Sequence, residues 1–409
     1  MKRIPGATAL SGLSRARRRA LAGLALAGLA LAGLAAPAAA QEKVKIGLVL
    51  SLSGPAATLG QQARDGFNLA VKDLGGKMAG REVEVIVIDD ELKPDVAVTK
   101  VKGLLERDKV DFVVGPIFSN ILLAIEKPIV ESQTFLISPN AGPSSLAGKN
   151  CSPYFFVTSY QNDQVHQVLG KVAQERGYKR VFILVPNYQA GKDAAAGFKI
   201  DYKGEVTEES YVPLNTLDFQ AELSLIAQQN PDAVFTFMPG GMGVNLVKQY
   251  KQAGLADRIP FLSAFTVDES TLPAQQDAAV GLFGGANWAP NLDLPQNKKF
   301  VTEYEADYGG KVPGTYAFQA YDAGMLIDSA VRATKGDLSN KEAVKAALKK
   351  ADFTSLRGPF KFNTNNYPIQ DFYLVKVAKR PDGKYQTEIA QKVFSNFGDQ
   401  FAQYCPAGN

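Results

Sequence analysis

The stretch VDFVVGPIFSN, residues 110–120, is rich in Val and Phe and stops on Ser119 and Asn120, two small polar side chains at a strand end. A helical segment, NILLAIEKPIVE, starts on them. Helix starts carry amides without intrahelical acceptors and a partial positive charge, which together favour an anion. The following strand, TFLISP, runs likewise into Asn140, Ala141 and Gly142. Hydroxyl, amide and backbone donors on two neighbouring strand ends suit a carboxylate. Ser119 and Asn120 are also good helix caps, a role compatible with holding a ligand.

Other chemistries lack their residues. A single His, His166, cannot build a two-histidine metal site, and two Cys are too few for a cysteine zinc site. No G-x-S-x-G elbow presents a nucleophile. No Gly-Lys is followed by the Ser or Thr of a P-loop, and GGMG at 240–243 lacks dinucleotide spacing. His166, in the polar run NDQVHQ, is expected on the surface, and Asp89-Asp90-Glu91 is expected to form a solvated turn. The sequence points to a binding protein, not an enzyme, with no metal and no cofactor.

Short Val- and Ile-rich runs (VKIGLVLSL, EVEVIVIDD, VDFVVGP, TFLISP) alternate with helical spacing, the pattern of strands joined by crossover helices into a parallel sheet. A second series follows Tyr160: RVFILVP, EVTEESYVP, DAVFTFMP and PFLSAF. After Trp288 come longer helices, at 296–308, 315–333 and 340–351, then strands around PFKFN and DFYLVKVA. About 370 residues beyond the leader exceed what one core serves. Two α/β lobes are therefore expected: 41–159 plus 289–363, and 160–288 plus 364–409, with crossings near 158–161, 286–289 and 362–365.

The first forty residues read as a leader. Lys2, Arg3, Arg15, Arg17, Arg18 and Arg19 precede an Ala/Leu/Gly run ending in Ala38-Ala39-Ala40, as in a cleaved secretory signal; a single membrane span is the competing reading. With those six residues removed, 39 of the 45 Lys and Arg remain against 41 Asp and Glu, so nothing favours nucleic acid. In an exported protein Cys151 and Cys405 are candidates for a disulfide that ties down the C-terminal tail, with two free thiols as the alternative.

Taken together, KVKIGLVLSLSGPAATLGQQARDGFNLAVKDL, VDFVVGPIFSN, LISPNAG, VKQYKQAGL and TYAFQAYDAG resemble the periplasmic solute-binding proteins of the leucine/isoleucine/valine transport type. The resemblance implies two Rossmann-like lobes of the type I periplasmic binding fold, joined by a three-crossing hinge. It implies a monomer that closes on a small molecule and delivers it to the permease and ATPase subunits of an ABC importer at the inner membrane. It also implies that the ligand carboxylate meets Ser119, flanked by Phe118 and Asn120, and the stretch Asn140 to Gly142. Amino-acid binders hold the ammonium with a Tyr and a Glu; those positions match Pro239 and Phe265. An ammonium left unpaired in a closed cleft costs several kcal/mol. The sequence thus looks like the branch that takes aromatic carboxylates such as benzoate, hydroxybenzoate or coumarate, with a branched-chain amino acid or small aliphatic acid as the alternative. On that pattern Asn187, Tyr188 and Gln189 meet ring hydroxyls, and Leu59 shapes the pocket wall. Trp288 and Tyr316 join Phe237 and Met238 around the ligand, although core packing would explain those two rings equally well.

Overall fold

The computed structural model describes Met1 and residues 42–406. Both readings of the leader therefore fall outside the described residues. In the first lobe β1 (Val44–Leu50), β3 (Arg81–Asp89), β4 (Phe112–Val114), β5 (Phe135–Ser138) and β6 (Phe155–Val157) pair in parallel in the order β3-β1-β4-β5-β6, with β2 (Lys77–Met78) antiparallel at the edge. Every residue of β4 and β5 is buried, which is why these strands are unbroken apolar runs rather than alternations. Helices α1 (Ala57–Asp73), α2 (Pro94–Gly103), α3 (Ser119–Glu131) and the short α4 (Ser144–Ala147) connect them.

The second lobe repeats the plan. Strands β7 (Arg180–Pro186), β8 (Glu205–Val212), β9 (Ala233–Thr236), β10 (Phe261–Ser263) and β11 (Phe283–Ala286) lie parallel in the order β8-β7-β9-β10-β11. Its helices are α5 (Asn162–Glu175), α6 (Gln189–Asp201), α7 (Gln220–Gln229), α8 (Gly241–Gln252) and α9 (Leu272–Gln275). The chain then adds α10 (Pro295–Asp307), α11 (Thr315–Ala333) and α12 (Lys341–Lys350) to the first lobe. There α11 lies so close on α1 that a Cβ at Gly66 would stand 2.0 Å from the Ala317 carbonyl oxygen. Finally β12 (Lys361–Phe362), β13 (Pro368–Lys379) and β14 (Tyr385–Phe397) complete the second sheet in antiparallel fashion.

Strand order reverses between β1 and β4 in one sheet and between β7 and β9 in the other. At such switch points neighbouring connections leave in opposite directions and open a crevice at the carboxyl ends of the strands. The four loops concerned are 51–56, 115–118, 187–188 and 237–240.

The crossings between lobes are knotted together by one carbonyl. Ser159, on the first crossing, accepts from Asn287 Nδ2 at 3.0 Å, Arg357 Nη1 at 3.1 Å and Gln370 Nε2 at 2.6 Å. Arg357 also donates to the Thr158 carbonyl and pairs with Asp322 at 3.0 Å, with its guanidinium between the rings of Phe318 and Phe360. Both partners of that ion pair are buried. Asp322 completes its shell with the Ser355 hydroxyl and the Leu356 amide.

Further contacts join the lobes across the cleft. The Ser144 amide and hydroxyl donate to Asp193 of α6, and the Thr315 amide at the start of α11 donates to Asp268 at 3.0 Å. Gly240, at φ +58°, sits where a Cβ would be 3.0 Å from the Pro55 carbonyl oxygen. The tail returns to the first lobe, where Cys405 is bonded to Cys151 across 254 residues, so the pair is a disulfide rather than two thiols. In the chain-entropy description a closure of that length contributes about 5 kcal/mol.

Two measurements test this frame. Arg357→Ala leaves the buried Asp322 carboxylate without its cation and is expected to cost about 3–5 kcal/mol in urea unfolding. Adding Asp322→Asn should recover part of that loss; a single variant as stable as the parent would remove the ion pair from the hinge. Glu269 is buried beside Asp268 and accepts from the Thr387 amide and hydroxyl; burial first, then the Asp268 charge, pushes its carboxyl up to about 8. The folded protein thus keeps this proton where the unfolded chain has lost it, so stability falls as pH rises from the unfolded carboxyl range through 8. Glu269→Gln lacks that loss. Its stability relative to the parent should rise between pH 5 and pH 9, and a flat difference would contradict the assignment.

Candidate functional site

The anion-binding end forms where α3 starts. β4 is followed by Gly115, whose missing side chain lets the chain pass the Val49 carbonyl of β1, and the turn delivers buried Phe118 and Ser119 to the crevice. Ser119 Oγ accepts from Asn162 Nδ2 at 3.2 Å, so its own proton is free to point at a ligand. The Ser119 and Asn120 amides belong to the first helical turn and have no intrahelical acceptors. Asn120 is half-buried, and its Oδ1 has no hydrogen-bond partner.

The Asn140–Gly142 loop is brought to the same place but is largely occupied by its own bonds. Asn140 Nδ2 donates to the Ile117 carbonyl at 2.7 Å, and Tyr160 donates to Asn140 Oδ1 at 2.8 Å. The Ala141 carbonyl accepts from Ser138, and the Gly142 amide donates to Asn162 Oδ1. A Cβ at Gly142 would lie 2.1 Å from the Tyr160 carbonyl oxygen, so this position needs glycine for close approach to the first crossing. Asn140 is thus a bracket that holds the Ile117 loop to the hinge.

Facing this end is a wall of rings drawn from both lobes. Phe118 lies 6.1 Å from Tyr188, Tyr188 6.2 Å from Phe237, and Phe237 6.1 Å from Phe265. Phe265 stacks on Tyr160 at 5.2 Å and meets Tyr316 of the first lobe at 6.3 Å. Burial raises the Tyr160 and Tyr316 hydroxyls well above the ordinary tyrosine range, so both are neutral donors. Phe265 holds a φ of 58°, a left-handed backbone that costs a side-chain-bearing residue about 1–2 kcal/mol. Pro239 is buried on the loop after β9, and Leu59 reaches within 3.7 Å of where a Gly240 Cβ would be.

Two carboxylates border the wall that the sequence did not single out. Asp193 is buried and accepts from Ser144 twice, from Gln189 Nε2 and from Asn162 Nδ2. Asp268 accepts from the Ser270 and Thr315 amides. Each has its charge met by protein donors, and neither sits at the positions of Pro239 or Phe265. Asp193 lifts its neighbour Asp163, already raised by burial, to about 7.

Several sequence expectations change. Trp288 stands apart from the wall: its ring stacks on Phe318 at 4.7 Å, its Nε1 donates to Asn297, and it packs in a core with Phe300 and Tyr304. Gln189 is committed to Asp193, and Asn187 is exposed. His166 is not on the surface but buried, within 5.3 Å of the Phe237 ring and 5.7 Å of Phe235. The polar run NDQVHQ opens α5 and is buried all round except at Gln167, and the helix packs on β11 because Gly285 has no side chain to strike the Val165 carbonyl. Nor is the acidic triplet simply a solvated turn: Asp90 is buried and accepts from Ser51 Oγ at 2.6 Å, closing the β1 loop. Tyr160 and Asn162 were missed; they lie just past the first crossing, where sequence shows a helix start and not its neighbours.

Residues 43–384 match the family described as periplasmic binding protein. Among curated relatives, the Leu/Ile/Val-binding protein homolog 6 of Brucella melitensis is 32% identical over 377 residues, covering 89% of this chain and 95% of that protein. Among solved structures, an ABC-transporter solute-binding protein from R. palustris in complex with benzoate superposes with a TM-score of 0.83 at 32% identity, covering 88% of this chain and 98% of the other. A second from R. palustris, in complex with 4-hydroxybenzoate, gives 0.81 at 31% identity over 88% and 98%. Two parallel-sheet lobes, a switch-point crevice in each and the matched length agree, and the chain belongs to the periplasmic binding protein family as a solute-binding protein of the type I fold.

Proposed function

We propose that this protein captures an aromatic carboxylate of the benzoate, hydroxybenzoate or coumarate kind, unchanged, and hands it to the permease and ATPase subunits of an ABC importer. The observation that carries this reading is the pairing of a free Ser119 hydroxyl and helix-start amides with a ring wall that holds Pro239 and Phe265 where an ammonium would need its partners. A carboxylate gains charge-assisted hydrogen bonds at one end, and a flat ring gains edge and face contacts at the other. An ammonium would be desolvated beside carboxylates whose bonds to Ser144 and Thr315 join the lobes. The relatives with bound benzoate and 4-hydroxybenzoate support the same class of cargo. We further propose that residues 41–159 with 289–363, and 160–288 with 364–409, move as the two lobes, apart from the tail held at Cys151 and from β12, which pairs with β13 of the second sheet.

A second reading, a branched-chain amino acid, has support in the name of the Brucella relative. Thermal shift separates the two. Benzoates at a hundredfold excess over Kd should stabilise the protein by about 2.7 kcal/mol while leucine does nothing; the opposite pattern would hand the site to amino acids. Ser119→Ala should weaken benzoate binding by about 1–3 kcal/mol in calorimetry through the lost bond to a charged oxygen. An unchanged affinity would take Ser119 out of the site.

A further inference from the structure

One buried polar side chain at the wall lacks a partner. His166 is 2% exposed, its Nδ1 has no hydrogen bond, and its ring meets Phe235, Phe237 and Phe265 at 5.7, 5.3 and 6.2 Å. Buried nitrogen without an acceptor or donor is uncommon in folded proteins and calls for an occupant. Packing alone would be served by Phe or Leu.

Placement suggests the occupant. Asn162 and His166 are four residues apart on α5 and so share one face of the helix. Asn162 bonds Ser119 Oγ at the anion-binding end, whereas His166 lies against Phe237 and Phe265 at the ring wall. Four residues of helix advance about 6 Å, close to the span from the carboxyl carbon of a benzoate to an oxygen on its para carbon. The helix is fixed by close backbone approach at three points, one on β11 and two on α6: a Cβ at Gly285 would be 2.2 Å from the Val165 carbonyl, one at Gly170 2.0 Å from the Phe198 carbonyl, and one at Gly197 2.4 Å from that of Asp163. Its spacing therefore acts as a ruler.

We propose that His166 reads the far end of the ring, its imidazole accepting the proton of a para hydroxyl, so that the protein prefers 4-hydroxylated aromatic acids to benzoate; this rests on the aromatic-carboxylate reading above. Burial lowers the imidazole to about 3, so it is the neutral, accepting form at every working pH. A phenol offers such an acceptor a good donor, and a bare ring offers none.

Calorimetry with benzoate, 3-hydroxybenzoate and 4-hydroxybenzoate tests this. The parent should bind the 4-hydroxy acid about tenfold tighter than benzoate, and His166→Phe should bring that ratio near one. A ratio unchanged in His166→Phe, as a water-filled site would give, overturns the role of His166 but leaves the aromatic reading standing. Failure of all three acids with the parent overturns the aromatic reading itself. Should the Phe variant not fold, the parent suffices: His166 is the only histidine, so its imidazole nitrogen resonances are single lines. They should move on adding 4-hydroxybenzoate and stay with benzoate; equal movement for both acids overturns the proposal.

Discussion

The carbonyl of Ser159 is the fixed point of this molecule. Three donors from three separate segments, Asn287, Arg357 and Gln370, converge on it, so the places where the chain changes lobe cannot drift relative to one another. A buried ion pair such as Arg357–Asp322 is weak evidence for stability, since desolvation offsets much of its attraction. Its clearer consequence is registry: only one arrangement of the crossings satisfies every donor. The site inherits that registry directly. Asn162, three residues beyond Ser159, bonds both Ser119 and Asp193, and Tyr160 both stacks on Phe265 and bonds Asn140.

The electrostatics of the crevice are less one-sided than the sequence implied. Asp193 and Asp268 bring negative charge to its borders, which a reading confined to Pro239 and Phe265 leaves out. What matters is how much of each charge remains unmet. Four protein donors surround Asp193, two of them from the facing lobe, and the first-turn amide of α11 meets Asp268. These carboxylates serve as latches between lobes, and an incoming cation would have to compete with bonds that hold the cleft together. The Ser119 hydroxyl and the α3 amides carry no such commitment. Anion selectivity thus comes from which groups are already spent.

Much of the fold was legible because parallel strands covered on both faces leave unbroken apolar runs, as β1, β4, β5, β7 and β9 do. Two strands that the sequence did not single out have other reasons for their composition. β11 is FGGA because α5 packs against Gly285, and β14 is a polar edge strand pairing only with β13. At the site, Ser119 carried a local signal, a strand end running into a helix start, and Tyr316 came only from the family resemblance, whereas Asn140 had the right location and the wrong availability. His166 was misread because polarity along a helix says which face is polar and not what that face meets. The φ of 58° at Phe265 leaves no trace in the sequence, since glycine is what such a backbone ordinarily calls for.

On the lobe motion proposed above, recognition and closure are one event. Phe118 and Tyr316 belong to the first lobe, Tyr188, Phe237 and Phe265 to the second, and the Phe118–Tyr188 and Phe265–Tyr316 contacts join them across the cleft. The bonds of Ser144 to Asp193 and of Thr315 to Asp268 also cross between the lobes. A molecule that fills the space between the rings is held by both lobes and stabilises the closed form by its differential affinity for that form. A molecule that satisfies only the Ser119 end touches one lobe, gains nothing from closure, and leaves the aromatic faces to solvent. Discrimination by such a cleft is therefore sharper than the contacts to either lobe would give, because the wrong cargo forfeits the latch bonds as well as its own.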